Sequence, residues 1–146
     1  MLSRIREHLH RQDGVAALEF AIVAMVFLVI LFGILTYGFI FGLDQSLNHA
    51  AEEGARSAIS APSSVGETLA LTKAHDTAYQ RLGWLGSRIQ STDIVATLLN
   101  PCPNDAAVKC VQVTITYPWG ARPIIPKFPG LMTPSQLQAI AIVELT

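Results

Sequence analysis

Charge is scarce in this chain. Only 14% of its 146 residues are charged, the formal net charge is −1, and no run of basic residues occurs. Nucleic-acid binding rests on neutralising phosphates with clustered Lys and Arg, so DNA and RNA are set aside as partners. Cysteine is scarcer still: Cys102 and Cys110 have seven residues between them, with no C-x-x-C and no nearby His, which excludes the thioredoxin-type redox motif and a four-ligand zinc site. No metal or other cofactor is expected. Catalytic signatures are missing as well, since no G-x-S-x-G elbow sets a Ser and no Gly-rich loop follows a strand to hold phosphate. His49 and His75 lie on helical stretches among Glu52, Glu53 and Asp76, and read as solvated surface residues, while His8 and His10 fall near the N-terminus. The chain is not expected to be an enzyme.

What is present is one long apolar run. Phe20 to Gly42 contains 23 residues without a charge. At about 1.5 Å of rise per residue this makes roughly 34 Å of helix, enough to cross the hydrocarbon core of a bilayer. The hydrophobic share of 51% is high because it includes this span. Beyond it remain about a hundred residues, enough for one small domain. Arg4, Arg6 and Arg11 precede the run, and no Lys or Arg follows it before Arg56. The positive-inside bias therefore puts the N-terminus in the cytoplasm and the C-terminal part outside, even though Glu7 and Asp13 reduce the leader to a formal +1. A cleavable secretory signal is the competing reading. Its apolar region is normally shorter and is followed by small residues, whereas Leu43-Asp44-Gln45 follows here.

Glu19 stands at the mouth of the run. Carried to the bilayer centre, a carboxylate costs about 2.5 to 3.5 kcal/mol, which marks it as a candidate functional group. Gly14-Val15-Ala16-Ala17-Leu18-Glu19-Phe20 resembles the processing site of type IV prepilins, in which cleavage follows the Gly and the Glu becomes the fifth residue of the mature chain. The Glu-Phe pair is most similar to the Flp and TadE/TadF branch. Tyr37-Gly38, Ala51-Glu52-Glu53-Gly54-Ala55-Arg56, Val113-Thr114-Ile115-Thr116-Tyr117-Pro118 and Phe128-Pro129-Gly130-Leu131 extend the likeness. The whole chain resembles a TadE-like minor pilin, or pseudopilin, of the tight-adherence (Flp) pilus system. The short ending after Pro134 favours TadE over TadF.

That resemblance implies a bacterial inner-membrane protein, single-pass, with a prepilin peptidase cutting after Gly14. Cleavage would free the amine of Val15, and Glu19 would then meet the N-terminal amine of another subunit. Implied partners are the peptidase, other pilins, TadF-like pseudopilins, the pilus assembly machinery and the lipid bilayer. The alternative is an uncleaved single-pass protein whose outer domain binds a ligand. In that case Glu19 only snorkels at the interface and Gly14 only marks a helix start.

The expected fold class is α+β: a transmembrane helix extended beyond the membrane, a second helix, then a small antiparallel sheet of about three strands, as in pilins. The expected divisions are a leader at 1–14, a span at 15–43 and an outer domain at 44–146. Within the span, Gly38 and Gly42 form a G-x-x-x-G pair that would let another helix approach closely, the alternative being a chance spacing in a Gly-tolerant membrane helix. Past the span, Leu47, Ala50, Ala51, Gly54, Ala55 and Ala58 recur at three- and four-residue steps, a small-residue stripe expected to pack on the protein's own domain, with a neighbouring subunit as the alternative. Pro62 should end this first helix. Ser64 and Glu67 fit a capping box for the second, whose apolar face reads Leu71, Ala74, Ala78, Leu82, Leu85 and Ile89, with Gly83 and Gly86 weakening its last turns.

After residue 92 the period becomes two. Ile94 to Leu99, Val111 to Tyr117 and Leu137 to Leu145 read as strands, the last two separated by a connection carrying Pro118, Pro123, Pro126, Pro129 and Pro134. Between the first two, Cys102 and Cys110 favour a disulfide if the domain lies outside the cytoplasm, with free buried thiols as the alternative.

Overall fold

The computed structural model describes the backbone of residues 2–60, 66–103, 105, 107–126 and 130–145, and side chains from Gly14 onward. Ser64, Pro62, the leader side chains, Phe128 and Pro129, all used in the sequence reading, lie outside the described residues. Contacts divide the chain into two units, Met1–Phe39 and Ile40–Thr146. The long helix α1, Leu2–Ile59, contributes to both. No proline interrupts it. Its Ile and Val residues are only middling helix formers in water, but in hydrocarbon every backbone N–H and C=O must be satisfied within the segment, which a helix does and a lone strand cannot.

In the second unit, α1 buries Ile40, Leu43, Leu47, Ala50, Ala51, Gly54, Ala55 and Ala58 on one face. The partner is α2, Glu67–Arg81, which buries Ala70, Ala74 and Ala78. A Cβ placed on Gly54 would stand 2.8 Å from the Ala74 carbonyl oxygen and 2.9 Å from the Ala78 Cβ. The two helices approach closely because the residues between them are small. Their cross-contacts run in opposite directions along the two segments. Lys73 Nζ reaches Ser60 Oγ at 2.8 Å, Arg81 Nη2 reaches Glu53 Oε2 at 3.0 Å, and Trp84 Nε1 donates to Ser46 Oγ at 3.3 Å. The second helix is therefore antiparallel to the first.

The start of α2 differs from the sequence reading. Glu67 is its first residue and Gly66 its N-cap, at φ 89° and with no side-chain capping bond. Gly66 reaches that left-handed backbone without strain. Glu67 thus sits at the first helical position, where its charge suits the helix dipole, and its carboxylate pairs with Lys109 Nζ rather than reaching back to a cap. The end differs too. The α-helix stops at Arg81, and Leu82, Leu85 and Ile89 stay buried through a 3-10 segment, Gly83–Arg88, broken by Gly86 at φ 57° and ψ −130°. The apolar face survives the change of helix type because 3-10 spacing also repeats every three residues.

Three antiparallel strands follow in chain order: β1, Ile94–Leu99; β2, Lys109–Tyr117; and β3, Leu137–Leu145. The register aligns Ile94, Ile115 and Ala139 in one row, and Ala96, Val113 and Ala141 in the next. These rows belong to the core with Val111 and Tyr117. The other face carries Val95, Thr114 and Ile140 in one row, and Thr97, Gln112 and Ile142 in another. The β1–β2 connection is closed by a disulfide between Cys102 and Cys110, whose Cα atoms lie 5.2 Å apart.

The proline-rich connection is held by polar contacts rather than by pairing in the sheet. Tyr117 Oη donates to the Arg122 carbonyl at 2.6 Å. The Arg122 guanidinium in turn donates to the Arg88 carbonyl at 2.7 Å and to Asp93 Oδ1 at 2.6 Å, and lies 5.9 Å from the Tyr117 ring centre. The Gly120 N–H donates to the Ser135 carbonyl at 2.7 Å.

Candidate processing site and assembly surface

Gly14, Val15, Glu19 and Phe20 all lie on α1 and are exposed, Phe20 at 74%. Glu19 lies five positions on from Gly14, about 7.5 Å along the axis and a little over a third of a turn around it. The Gly14–Val15 peptide lies inside a continuous helix, so cleavage there would require local unwinding. Gly14 eases this, because glycine weakens a helix interior by roughly 0.5 to 1 kcal/mol relative to alanine.

From Val15 to Leu35 nearly every apolar side chain on α1 is exposed. Gly14–Ile59 is the one helix among the described residues long and apolar enough to cross a membrane, and its most apolar stretch has no buried share. Such a surface suits lipid or other apolar helices.

The structure divides the small-residue positions into two sets. Ala51, Gly54, Ala55 and Ala58 are consumed by packing in their own domain. Gly38 and Gly42 are exposed, with nothing within 4 Å of a Cβ built on either. Only the second set is left open at the surface.

Three contacts escaped the sequence reading. His75, which the sequence alone presents as a solvated surface residue, holds Asp76 Oδ1 at Nδ1 and both Ser91 oxygens at Nε2, each at 3.1 Å, and stacks on Tyr79. A Ser, a His and an Asp therefore meet, but Nε2 is as well placed to donate to the Ser91 carbonyl as to accept from its hydroxyl. Asp76 is exposed and adjacent in sequence. The arrangement ties α2 to the turn before β1. Arg122 with Asp93, and Trp84 with Ser46, are the other two. Their partners stand 29 and 38 residues apart, a separation that no local pattern signals. Among the described residues no three His, Cys, Asp or Glu side chains gather as metal ligands.

Residues 14–56 match the family model described as TadE-like protein. The match takes in the Gly14–Phe20 segment, the apolar run and the stripe through Ala55, and leaves the sheet and the disulfide outside it. No curated protein and no solved structure matches the chain.

Proposed function

We propose, from a segment that is TadE-like over residues 14–56, that this protein is a minor pilin or pseudopilin serving biogenesis of a tight-adherence pilus. The observation that carries the reading is the exposed Gly14–Phe20 segment at the head of an apolar helix whose domain-facing stripe is already satisfied. The domain folds on residues 40–58 of α1, so the helix before it is left for lipid and for neighbouring subunits. In this reading a prepilin peptidase of the cytoplasmic membrane cuts after Gly14, and the domain stands on the far side. The new amine of Val15 on one subunit then meets Glu19 of another. A charge-assisted hydrogen bond in a low-dielectric bundle is much stronger than the same pair in water, so the contact favours one register between subunits. The chain's part is structural rather than catalytic. Its partners are other pilins, TadF-like pseudopilins and the assembly machinery.

Intact mass tests processing. Protein from cells containing the peptidase should lack residues 1–14 and begin at Val15, and Gly14→Leu should keep the full mass. A full-length wild-type chain in those cells refutes the reading and leaves an uncleaved, membrane-anchored protein. Glu19→Ala should insert normally but impair assembly, and normal pili from that variant would remove the ion pair.

A further inference from the structure

We propose that the outer edge of β3 docks a second copy of this chain, the two β3 strands pairing antiparallel across a two-fold axis at Ala141 to make one six-stranded sheet. The inference concerns the second unit alone and stands whether or not the chain is cut at Gly14.

The strand order puts β3 at an edge, with its nine residues paired to β2 on one side. Among the described residues no strand lies beyond it. An open edge offers a row of backbone N–H and C=O groups, and edges that stay single are commonly blunted by Lys, Pro, a bulge or a short strand. β3 has none of these. Its register with β2 runs unbroken, Glu144 is its one charge, and it is longer than the six-residue β1 at the opposite edge. The faces beside the edge are also unfinished. Ile140 and Ile142 are 53% and 44% exposed on the outer face. On the core face Ala141, Val143 and Leu145 are only half-buried, whereas Ala139 is fully buried.

The sequence of β3 complements itself in one register. Pairing about Ala141 sets Ile140 against Ile142 of the second copy and the reverse, so that four isoleucines meet on the outer face. Gln138 falls opposite Glu144 and can donate its amide to that carboxylate, while the two Glu144 side chains stay about 20 Å apart. On the core face Leu137 meets Leu145, and Ala139 meets Val143. Cross-strand neighbours of these kinds stabilise a sheet. Centred one residue away, on Ile140 or Ile142, the pairing sets an isoleucine against Gln138 or Glu144 and leaves strand residues unmatched.

Disulfide trapping in the full chain in mild detergent tests the contact, because the native Cys102 and Cys110 are bonded to each other. Directly opposite residues in an antiparallel pair have Cα atoms about 4.5 to 5.5 Å apart, within disulfide reach. Ala141→Cys should therefore yield at least about five times more oxidised dimer than Gln138→Cys, whose two copies would stand about 20 Å apart. Gln138→Cys mixed with Glu144→Cys should cross-link as Ala141→Cys does. Adding Ile140→Lys and Ile142→Lys sets like charges opposite one another and should cut Ala141→Cys trapping by about tenfold. Mixing that protein with its Ile140→Glu, Ile142→Glu counterpart, also carrying Ala141→Cys, should restore it. Equal trapping by Ala141→Cys and Gln138→Cys would reduce the contact to collision within the micelle and overturn the proposal. Trapping that survives the lysines would mean that the chains meet elsewhere, and overturns it as well.

Discussion

Gly54→Ala gives the sharpest test of how the helical pair is built. In an exposed helix interior the change should stabilise by up to about 1 kcal/mol, because alanine loses less conformational freedom. At this site the new methyl would stand 2.8 Å from the Ala74 carbonyl oxygen and 2.9 Å from the Ala78 Cβ. Favourable separations for carbon contacts are about 3.5 to 4.0 Å, so the helices must part by roughly 0.6 to 1 Å. The oxygen is backbone and cannot swing aside. Overpacking of this kind costs about 1 to 3 kcal/mol, and the displacement is shared along the Ala50–Ala58 stripe, so the upper half of the range applies. The net expectation is a loss of about 1 to 2 kcal/mol. Urea unfolding of the full chain in mild detergent reads it, with Gly83→Ala as control, since nothing lies within 4 Å of a Cβ there. Adding Ala78→Gly removes the 2.9 Å contact but leaves the 2.8 Å one, so a double-mutant cycle should recover only part of the loss, with a coupling of about 0.5 to 1 kcal/mol. If Gly54→Ala stabilises as an exposed site would, the close approach of α1 and α2 is wrong.

The disulfide, Tyr117 and Arg122 give further expectations. Replacing Cys102 and Cys110 together by Ala should cost about 2 to 3 kcal/mol, the loop-closure entropy of so short a ring. In the wild type, alkylation under denaturing conditions should label neither sulfur before reduction and both after, and prior labelling would refute the bond. Burial pushes the Tyr117 phenol above its usual 10.0, with Asp93 adding to the rise and Arg122 and Arg88 opposing it. The folded state therefore favours the neutral phenol, so stability is intact below about pH 10 and falls as pH rises through the folded value. Tyr117→Phe should flatten that alkaline decline in urea midpoints, and an unchanged slope counts against it. Arg122→Ala leaves the largely buried Asp93 without its cation, with only the Gln90 N–H still donating to it, and should cost about 2 to 3 kcal/mol by the same unfolding assay. A loss under about 0.5 kcal/mol would mean the connection is held some other way.

Much of the architecture was legible because its signals are local. Val111, Val113, Ile115 and Tyr117 alternate with Gln112, Thr114 and Thr116, and the buried and half-buried positions alternate in step. Ala74, Ala78, Leu82, Leu85 and Ile89 kept one face although the helix changed type at Gly83. The change itself was not readable, since a glycine marks weakness without saying whether the backbone will turn left-handed, as Gly86 does. The Ser64–Glu67 box shows the converse. Its spacing fits, but Gly66 between the two offered a cap of its own. Gly14 and Glu19 are visible as candidates by their spacing at the head of the apolar run, and Gly38 and Gly42 by their four-residue spacing at its end. Which small residues remain open to neighbours needed α2 in place.

The order of elements along the chain is also the order in which they meet. The second helix lies along the first, β1 packs under that helix, β2 pairs with β1, and β3 pairs with β2. No element waits for one that comes later. A polypeptide delivered from its N-terminal end can thus complete each layer on what has already arrived, with the long helix as the fixed first stone. Short loop closures of this kind also favour rapid folding. The step left longest is the docking of β3, which must follow the proline-rich connection, and until it arrives β2 presents an unpaired edge to whatever stands nearby.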